Sequence, residues 1–277
     1  MTSDFTLEKF SQNPFYQEVN RRLVALAKLR PGQRVVDLGA GTGAVTRLLV
    51  AEMANGGSLP VGQGAEVIAV EPSETATEVA RRNLENIGDA VVRFVQGGAE
   101  RFSQLVRKPV DAVFFCNAIH LVKEKAAVVQ EAYRSLREGG TFSFNTSFFQ
   151  GAEPPESFQF YRRWMMKALR NLREKEGLFP DRAQRALARQ PLSREEYIAL
   201  VEANGFHVRE NEVVPVPMTL KGFEDISEYS LFIEGAMPGV PLESASKALK
   251  YGARGAFEEL GLETSPRNWL LVVASKE

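Results

Sequence analysis

The sequence predicts an α/β protein, a doubly wound and largely parallel sheet with helices on both faces. Three observations carry that expectation. Strand and helix signals alternate five times through the first half of the chain. A glycine-rich turn, Gly39-Ala40-Gly41-Thr42-Gly43, follows the first strand signal and opens a helix. The segment Val110–Cys116 is apolar almost throughout, as a strand covered on both faces is. Alternation of this kind builds parallel sheets through right-handed crossovers.

Residues Phe15–Leu29 place Val19, Leu23, Leu26 and Ala27 at helical spacing and stop at Arg30-Pro31-Gly32. Strands are predicted at Arg34–Leu38, Glu66–Val70 (ending at Glu71), Val91–Val95, Val110–Cys116 and Thr141–Phe148. Between them, Ala44–Met53, Ser73–Ile87 and Glu124–Leu136 read as helices, and Asn55–Gly64 as a loop. Ser73 is placed to cap its helix, with Gly88 as a stop. Beyond Phe148 the regularity breaks. Gln150–Arg189 reads as helical, with nine Lys/Arg against three Asp/Glu between Arg162 and Arg189. A helix at Arg194–Ala203 leads to a strand near Val208–Val216. Glu224–Glu263 reads as helical with eight Asp/Glu against three Lys/Arg, and a strand at Trp269–Ala274 follows. The expected organisation is one catalytic domain over 1–277. Its core is 31–149, 193–219 and 268–277, with an N-terminal helical cap, 1–30, and lid insertions, 150–192 and 220–267, whose opposite charges either meet across the mouth of the site or belong to solvated helices with no such role.

The 277 residues are enough for a substantial core. A net charge of −1 gives no whole-protein footprint for nucleic acid. The single cysteine, Cys116, forms no intrachain disulfide, which fits a reducing compartment. With no apolar run long enough to span a bilayer and no secretory-signal pattern near Met1, a cytoplasmic location is expected. No metal site is expected.

The glycine turn lets a ligand approach the backbone without interference from a Cβ. Its letters also satisfy a dinucleotide pattern, so the turn alone leaves two cofactors open. Asp37, two residues before Gly39, bears on the choice. A pyrophosphate would meet a like charge there in a poorly solvated cleft. S-adenosylmethionine carries an ammonium and a sulfonium, and both favour a nearby anion. Capping of the loop's amides by Asp37 is compatible with the same cofactor. Glu71, at the end of the second strand, is placed to accept hydrogen bonds from ribose hydroxyls.

These motifs resemble those of the class I methyltransferases, in particular the small-molecule enzymes similar to the ubiquinone/menaquinone methyltransferases. Val35–Gly43 resembles the first motif, Ala69–Ser73 the acidic-strand motif, Phe94–Glu100 the third and Asp111–Val122 the fourth. Leu136–Thr141 resembles the turn before the fifth strand, and Leu192–Phe206 the late helix and its turn. The resemblance implies a Rossmann-like, seven-stranded sheet with the last strand antiparallel. It implies S-adenosyl-L-methionine as cofactor, S-adenosyl-L-homocysteine as product, and in-line displacement at the sulfonium carbon. The cofactor-binding residues it implies are Asp37, Gly39, Ala40, Gly41, Gly43, Glu71, Pro72, Gly98, Ala99, Glu100, Cys116 and Asn117.

The pattern departs from the family in places. Gly98 stands where an Asp commonly reaches the adenine amino group, leaving that contact to the Ala99 backbone, Glu100, Gln96 or water. The run Phe115–His120 lacks the Asn/Asp-Pro-Pro-aromatic signature of amino-directed base methyltransferases, and Cys116 lacks the context of a nucleophile. His120 is the candidate proton acceptor, with a helix-capping or packing role as the alternative. His207 is expected to be structural. Phe15, Tyr16, His120, Tyr161, Trp164 and Met165 are candidates for the acceptor's pocket, with packing onto the core as the alternative for the residues of 158–166 and closure over the cofactor a further role for Phe15 and Tyr16. The expected partner is a small-molecule acceptor bound by a monomer or homodimer. An RNA methyltransferase using 162–189, an NAD(P)-dependent oxidoreductase and a non-catalytic relative are the alternatives.

Overall fold

The computed structural model describes residues 5–54, 65–87, 92–181 and 191–277. The expected loop Asn55–Gly64, the stop at Gly88 and the basic residues Arg182, Arg185 and Arg189 lie outside the described residues. In chain order the helices and strands are α1 (Glu8–Ser11), α2 (Pro14–Ala27), β1 (Arg34–Leu38), α3 (Ala44–Ala54), β2 (Glu66–Glu71), α4 (Glu74–Asn83) and β3 (Val92–Gln96). Then come α5 (Phe102–Val106), β4 (Val110–Cys116), α6 (Lys125–Ser135), β5 (Leu136–Thr146), α7 (Phe158–Glu176) and α8 (Arg194–Glu202). The last are β6 (Phe206–Thr219), α9 (Leu220–Ile226), α10 (Ser230–Ala236), α11 (Leu242–Leu260) and β7 (Thr264–Lys276).

The seven strands form one sheet in the order β3-β2-β1-β4-β5-β7-β6. β1 pairs in parallel with β2 and β4, β2 with β3, and β4 with β5, while β7 runs antiparallel to β5. The Rossmann-like, doubly wound architecture is therefore present. Val35, Val36, Val67, Ile68, Val113 and Phe114 are fully buried, which explains why β1, β2 and β4 read as apolar runs rather than alternating ones. β6 ends the sheet order and carries Pro215 and Pro217, which lack the N–H that an inner strand needs.

Several expected boundaries are corrected. α4 stops at Asn83 rather than Ile87, because the Asn83 side chain donates to the Thr42 carbonyl (3.0 Å) and the chain turns at Leu84. Ser73 caps it as expected, accepting from the Ala76 amide at 3.2 Å. β5 begins at Leu136, not Thr141: Leu136 pairs with Val110 and Thr141 with Ala112, so Arg137–Gly140 bulges out between them. The helical stretch 224–263 is broken into three helices, with new starts at Leu220, Ser230 and Leu242. Of 150–189, Phe158–Glu176 is helical, closed by Gly177 in the left-handed region. The short α5 has no counterpart among the expected elements.

The chain divides into two compact units. One, the sheet unit, comprises 17–150, 190–214 and 269–277; the other, the helical unit, comprises 1–16, 151–189 and 215–268. Within the helical unit, Phe160, Trp164, Phe223 and Phe257 pack ring against ring. The Trp164 indole N–H donates to the Leu249 carbonyl at 2.8 Å. α7 and α11 approach so closely at Gly252 that a Cβ there would lie 2.5 Å from the Trp164 carbonyl oxygen. The basic and acidic segments also meet inside this unit: Lys167 pairs with Glu259 at 2.8 Å and Arg163 with the same carboxylate at 3.3 Å. The cationic face of α7 is thus partly matched by α11.

Candidate active site

Strand order reverses between β1 and β4, and in doubly wound sheets that reversal opens a crevice at the carboxyl ends of the strands. The glycine turn leaves β1 at that point. Its amides at Gly39 and Ala40 donate to the Val70 carbonyl (2.8 and 3.1 Å), which ties the turn to the end of β2. Gly39 and Gly41 have φ of +69° and +54°, in the left-handed region that favours glycine. A Cβ on Gly39 would lie 3.3 Å from both Phe115 and Ala118. A Cβ on Gly41 would meet only the Gly39 carbonyl, at 4.0 Å. Gly39 is therefore a packing requirement of the turn, while Gly41 faces open space where a ligand can approach. Ala40 is buried and Gly43 lies against Leu84 and Ala80 of the α4 region.

Asp37 is buried at the end of β1, and its Oδ2 accepts a 2.6 Å bond from the Thr46 hydroxyl of α3. Burial pushes its carboxyl up to about 7; the Thr46 bond opposes this and the neighbouring charge of Glu71 adds to it. Glu71 is part-buried. Its Oε2 accepts from the Gly41 amide and its Oε1 from the Ser73 amide, each at 2.9 Å. Burial raises its pKa while those two amides work against the rise. Capping of a loop amide, considered above for Asp37, belongs to Glu71, because Asp37 turns into α3 instead. Pro72 is exposed between Glu71 and the helix cap Ser73.

At the end of β3 the Gly97 amide donates to the Glu71 carbonyl at 3.1 Å. Gly98 is extended and precedes a short turn, Ala99–Arg101. A Cβ on Gly98 would stand 2.7 Å from the Glu100 Oε2, so the Glu100 carboxylate fills the space that a side chain at position 98 would use. At the end of β4, Cys116 is buried, and burial together with the Asp37 charge pushes its thiol pKa well up; this thiol is not an activated nucleophile. Asn117 is in the left-handed region (φ +48°). Its amide donates to the Asn145 carbonyl (2.9 Å) and side chain (2.8 Å), and its own Oδ1 accepts from the Ser147 amide and hydroxyl. Asn145 in turn donates to Asn20 of α2 at 2.8 Å. Asn117 thus organises the strand ends with both faces of its peptide and side chain.

His120 lies in the turn Ile119–Leu121, with Nδ1 3.0 Å from the Thr146 Oγ1 and its ring 5.4 Å from that of Phe148. The sheet unit therefore brings Asp37, the glycine turn, Glu71, Gly98–Glu100, Cys116, Asn117 and His120 to strand ends or the turns that follow them. The other acceptor candidates lie in the helical unit. Phe15 and Tyr16 both pack edge-on against Phe10. The Tyr161 hydroxyl accepts from Arg267 at 3.0 Å, Trp164 is buried among aromatic rings, and Met165 is half-buried. His207 is the second residue of β6, and its carbonyl accepts from the Ser275 hydroxyl at 3.5 Å. Thr46, Asn20, Asn145, Thr146 and Ser147 were not singled out from the sequence. The one local signal for the last three is the polar Asn145-Thr146-Ser147 inside an otherwise aromatic strand end. Among the described residues no cluster of His, Cys, Asp or Glu could hold a metal ion, and no helix is long and apolar enough to cross a membrane.

Residues 36–144 match the family model described as a methyltransferase domain. Together with the seven-stranded sheet, this match supports a class I, S-adenosylmethionine-dependent methyltransferase domain in the chain. The ubiquinone/menaquinone biosynthesis C-methyltransferase of Legionella pneumophila (strain Corby) is 31% identical over 142 residues, covering 48% of this chain and 52% of that protein. The chain thus spans about half the length of that relative. Among solved structures, YjhP of E. coli superposes with a TM-score of 0.59 at 16% identity, covering 97% of this chain and 98% of that one. A geranyl diphosphate methyltransferase in complex with S-adenosylmethionine gives 0.53 at 19% identity, covering 95% and 86%. At these identities the likeness is one of fold.

The residues present fit the cofactor of this class. Two acids stand in a poorly solvated strand-end site beside a glycine turn with open space at Gly41, and each raises the demand for a positive charge. A sulfonium and an ammonium meet that demand, whereas a pyrophosphate opposes it.

Proposed function

We propose that this chain transfers the methyl group of S-adenosylmethionine to an oxygen, nitrogen or carbon of a small-molecule acceptor. The observation that carries the reading is Glu71 accepting from the Gly41 amide at the open side of the glycine turn, with the buried Asp37 carboxyl near enough to feel its charge. The cofactor supplies an electrophilic methyl carbon on a positively charged sulfur. The backbone of Gly39–Gly43 receives it without a Cβ in the way, and the two carboxylates favour its charges. Glu71 can exchange its bond to the Gly41 amide for ribose hydroxyls. Glu100, folded over Gly98, offers an acceptor for an adenine amino group.

As the acceptor atom forms its bond to the methyl carbon, the carbon–sulfur bond breaks and its electron pair stays on sulfur. A phenol, enol or amine acceptor then has a proton to lose, and His120 is the group at this strand end able to take it. Most of the barrier lowering comes from alignment, which in favourable intramolecular cases supplies up to ~7–11 kcal/mol. That account needs few obligatory side chains. The ion pairs joining Arg163 and Lys167 to Glu259 offset charge on the basic segment and weigh against its following an RNA backbone.

The test is transfer of isotopically labelled methyl from S-adenosylmethionine to a panel of phenols, quinols, amines and short RNAs. Label in the small molecules is expected, with His120→Ala lowering turnover by roughly 100-fold, a typical size for loss of a general base, while cofactor binding is kept. Label in RNA alone would overturn the small-molecule reading. Near-normal turnover by His120→Ala would remove the proton-acceptor role.

A further inference from the structure

The carboxyl of Asp37 is held by one side chain. Its Oδ2 accepts a 2.6 Å hydrogen bond from the hydroxyl of Thr46, in the first turn of α3, and both residues are buried. Among the described residues no other side chain donates to this carboxyl, and Asp37 is the one acceptor that the Thr46 hydroxyl reaches. A threonine in a helix commonly turns its hydroxyl back on the carbonyl four residues earlier. Here that carbonyl, of Thr42, accepts from the Asn83 side chain at 3.0 Å, and the Thr46 hydroxyl goes to Asp37 instead. An ionised carboxylate offers only lone pairs, so across 2.6 Å the hydroxyl is the donor. Hydrogen bonds to a charged acceptor are the stronger kind, so this bond favours the anion over the acid. The rest of the cluster does the reverse. Burial disfavours the charge, and so does the Glu71 carboxyl at the end of β2; the backbone amide of Thr46 assists the hydroxyl. The buried Cys116 thiol at the end of β4 is kept neutral by its own burial and by the Asp37 charge. Among the described residues no Lys, Arg or His side chain compensates Asp37.

We propose that Thr46 is a positioning residue whose hydroxyl stabilises the carboxylate form of Asp37 and so maintains the negative charge that the cofactor's cationic groups meet. Both side chains are fixed on rigid elements, β1 and α3, so the bond is built into the fold. Use of that charge by S-adenosylmethionine rests on the function proposed above; the effect of Thr46 on Asp37 does not.

The experiment has two arms, both on the full chain. The first follows the aspartate carboxyl carbons by ¹³C NMR across pH without ligand, with Asp37→Asn assigning the resonance. Thr46→Val keeps the side chain's shape and loses the hydroxyl, and it is expected to raise the Asp37 midpoint by about one pH unit, the order of one charge-assisted hydrogen bond. Thr46→Ser is expected to keep the parental midpoint. The second arm measures affinity for S-adenosylmethionine by calorimetry at about pH 7 and about pH 9. Thr46→Val is expected to bind several-fold more weakly than the parent at the lower pH and equally at the higher, where both carry the charge. A folded Thr46→Val whose Asp37 titrates as in the parent overturns the proposal, and so does a Thr46→Ser that titrates like the valine variant. If neither variant folds, a parental Asp37 that stays protonated up to about pH 9 overturns it, because the hydroxyl then holds no carboxylate. Equal weakening at both pH values gives Thr46 a merely structural part and overturns its link to the cofactor. A shifted midpoint with affinity unchanged at every pH would remove the Asp37 charge from the proposed function and leave the effect of Thr46 on Asp37 standing.

Discussion

Asp37→Asn is expected to stabilise the ligand-free chain above neutral pH while weakening its hold on the cofactor. The carboxyl is buried against α3 and its folded-state pKa is raised from 3.8 to about 7. A carboxyl raised in this way binds its proton more tightly folded than unfolded. Its contribution is therefore fully favourable below pH 3.8 and is lost as pH rises through 7. Above that point the buried charge costs up to ~4 kcal/mol, because each pKa unit corresponds to about 1.4 kcal/mol. Asparagine keeps an oxygen that can accept from the Thr46 hydroxyl and carries no charge at any pH. The gap in Tm between variant and parent should accordingly widen from pH 4 to pH 8. Affinity for S-adenosylmethionine should fall by roughly tenfold to hundredfold, the size of a lost charge-assisted interaction of ~1.5–3 kcal/mol. S-adenosylhomocysteine lacks the sulfonium charge and should suffer less. A variant whose melting curve tracks the parent at every pH, with unchanged affinity for both, would remove Asp37 from the site's electrostatics.

Gly39→Ala is expected to damage both the fold and the site, whereas Gly41→Ala damages the site far more than the fold. Gly39 has φ +69°, where a Cβ costs roughly 1–2 kcal/mol. That Cβ would also press on Phe115 and Ala118 at 3.3 Å. Phe115 is buried and can yield little, so crowding adds about 1–3 kcal/mol. Denaturant unfolding should show a loss of ~2–5 kcal/mol, summing the two effects, together with loss of cofactor binding. Gly41 has φ +54° and bears the left-handed strain alone, since only the Gly39 carbonyl comes within reach of its Cβ. Its alanine variant should remain folded and bind cofactor poorly, because the new methyl occupies the approach. Equal stability losses at the two positions would contradict this division of labour.

How much of this was legible in the sequence depended on whether the determining contacts were local. The bounds of β1 and β4 could be read to the residue, because strands buried on both faces spell continuous apolar runs that end at a glycine or a polar residue. β5 could not, since its first residue, Leu136, joins the sheet only by pairing with Val110 across a bulge. The end of α4 is set by Asn83 reaching Thr42, a contact over 40 residues that leaves no periodic trace. In the site, Asp37, Glu71 and the glycines stand at strand ends, where position alone gives them meaning. Their partners do not. Thr46 looks like any helix residue until Asp37 bonds to it, and Asn20 gains its part through Asn145, far along the chain. The opposite charges of the two helical segments were visible, but their meeting through Glu259 inside one unit was not.

The central claim is that two strand-end acids beside the glycine turn select a cationic, phosphate-free cofactor, and calorimetric titration of the chain with S-adenosylmethionine, S-adenosylhomocysteine, NAD and NADP tests it most directly. Saturable one-to-one binding of the first two and none of the dinucleotides is the result this account predicts. Binding of a dinucleotide with no binding of either sulfur compound would contradict it.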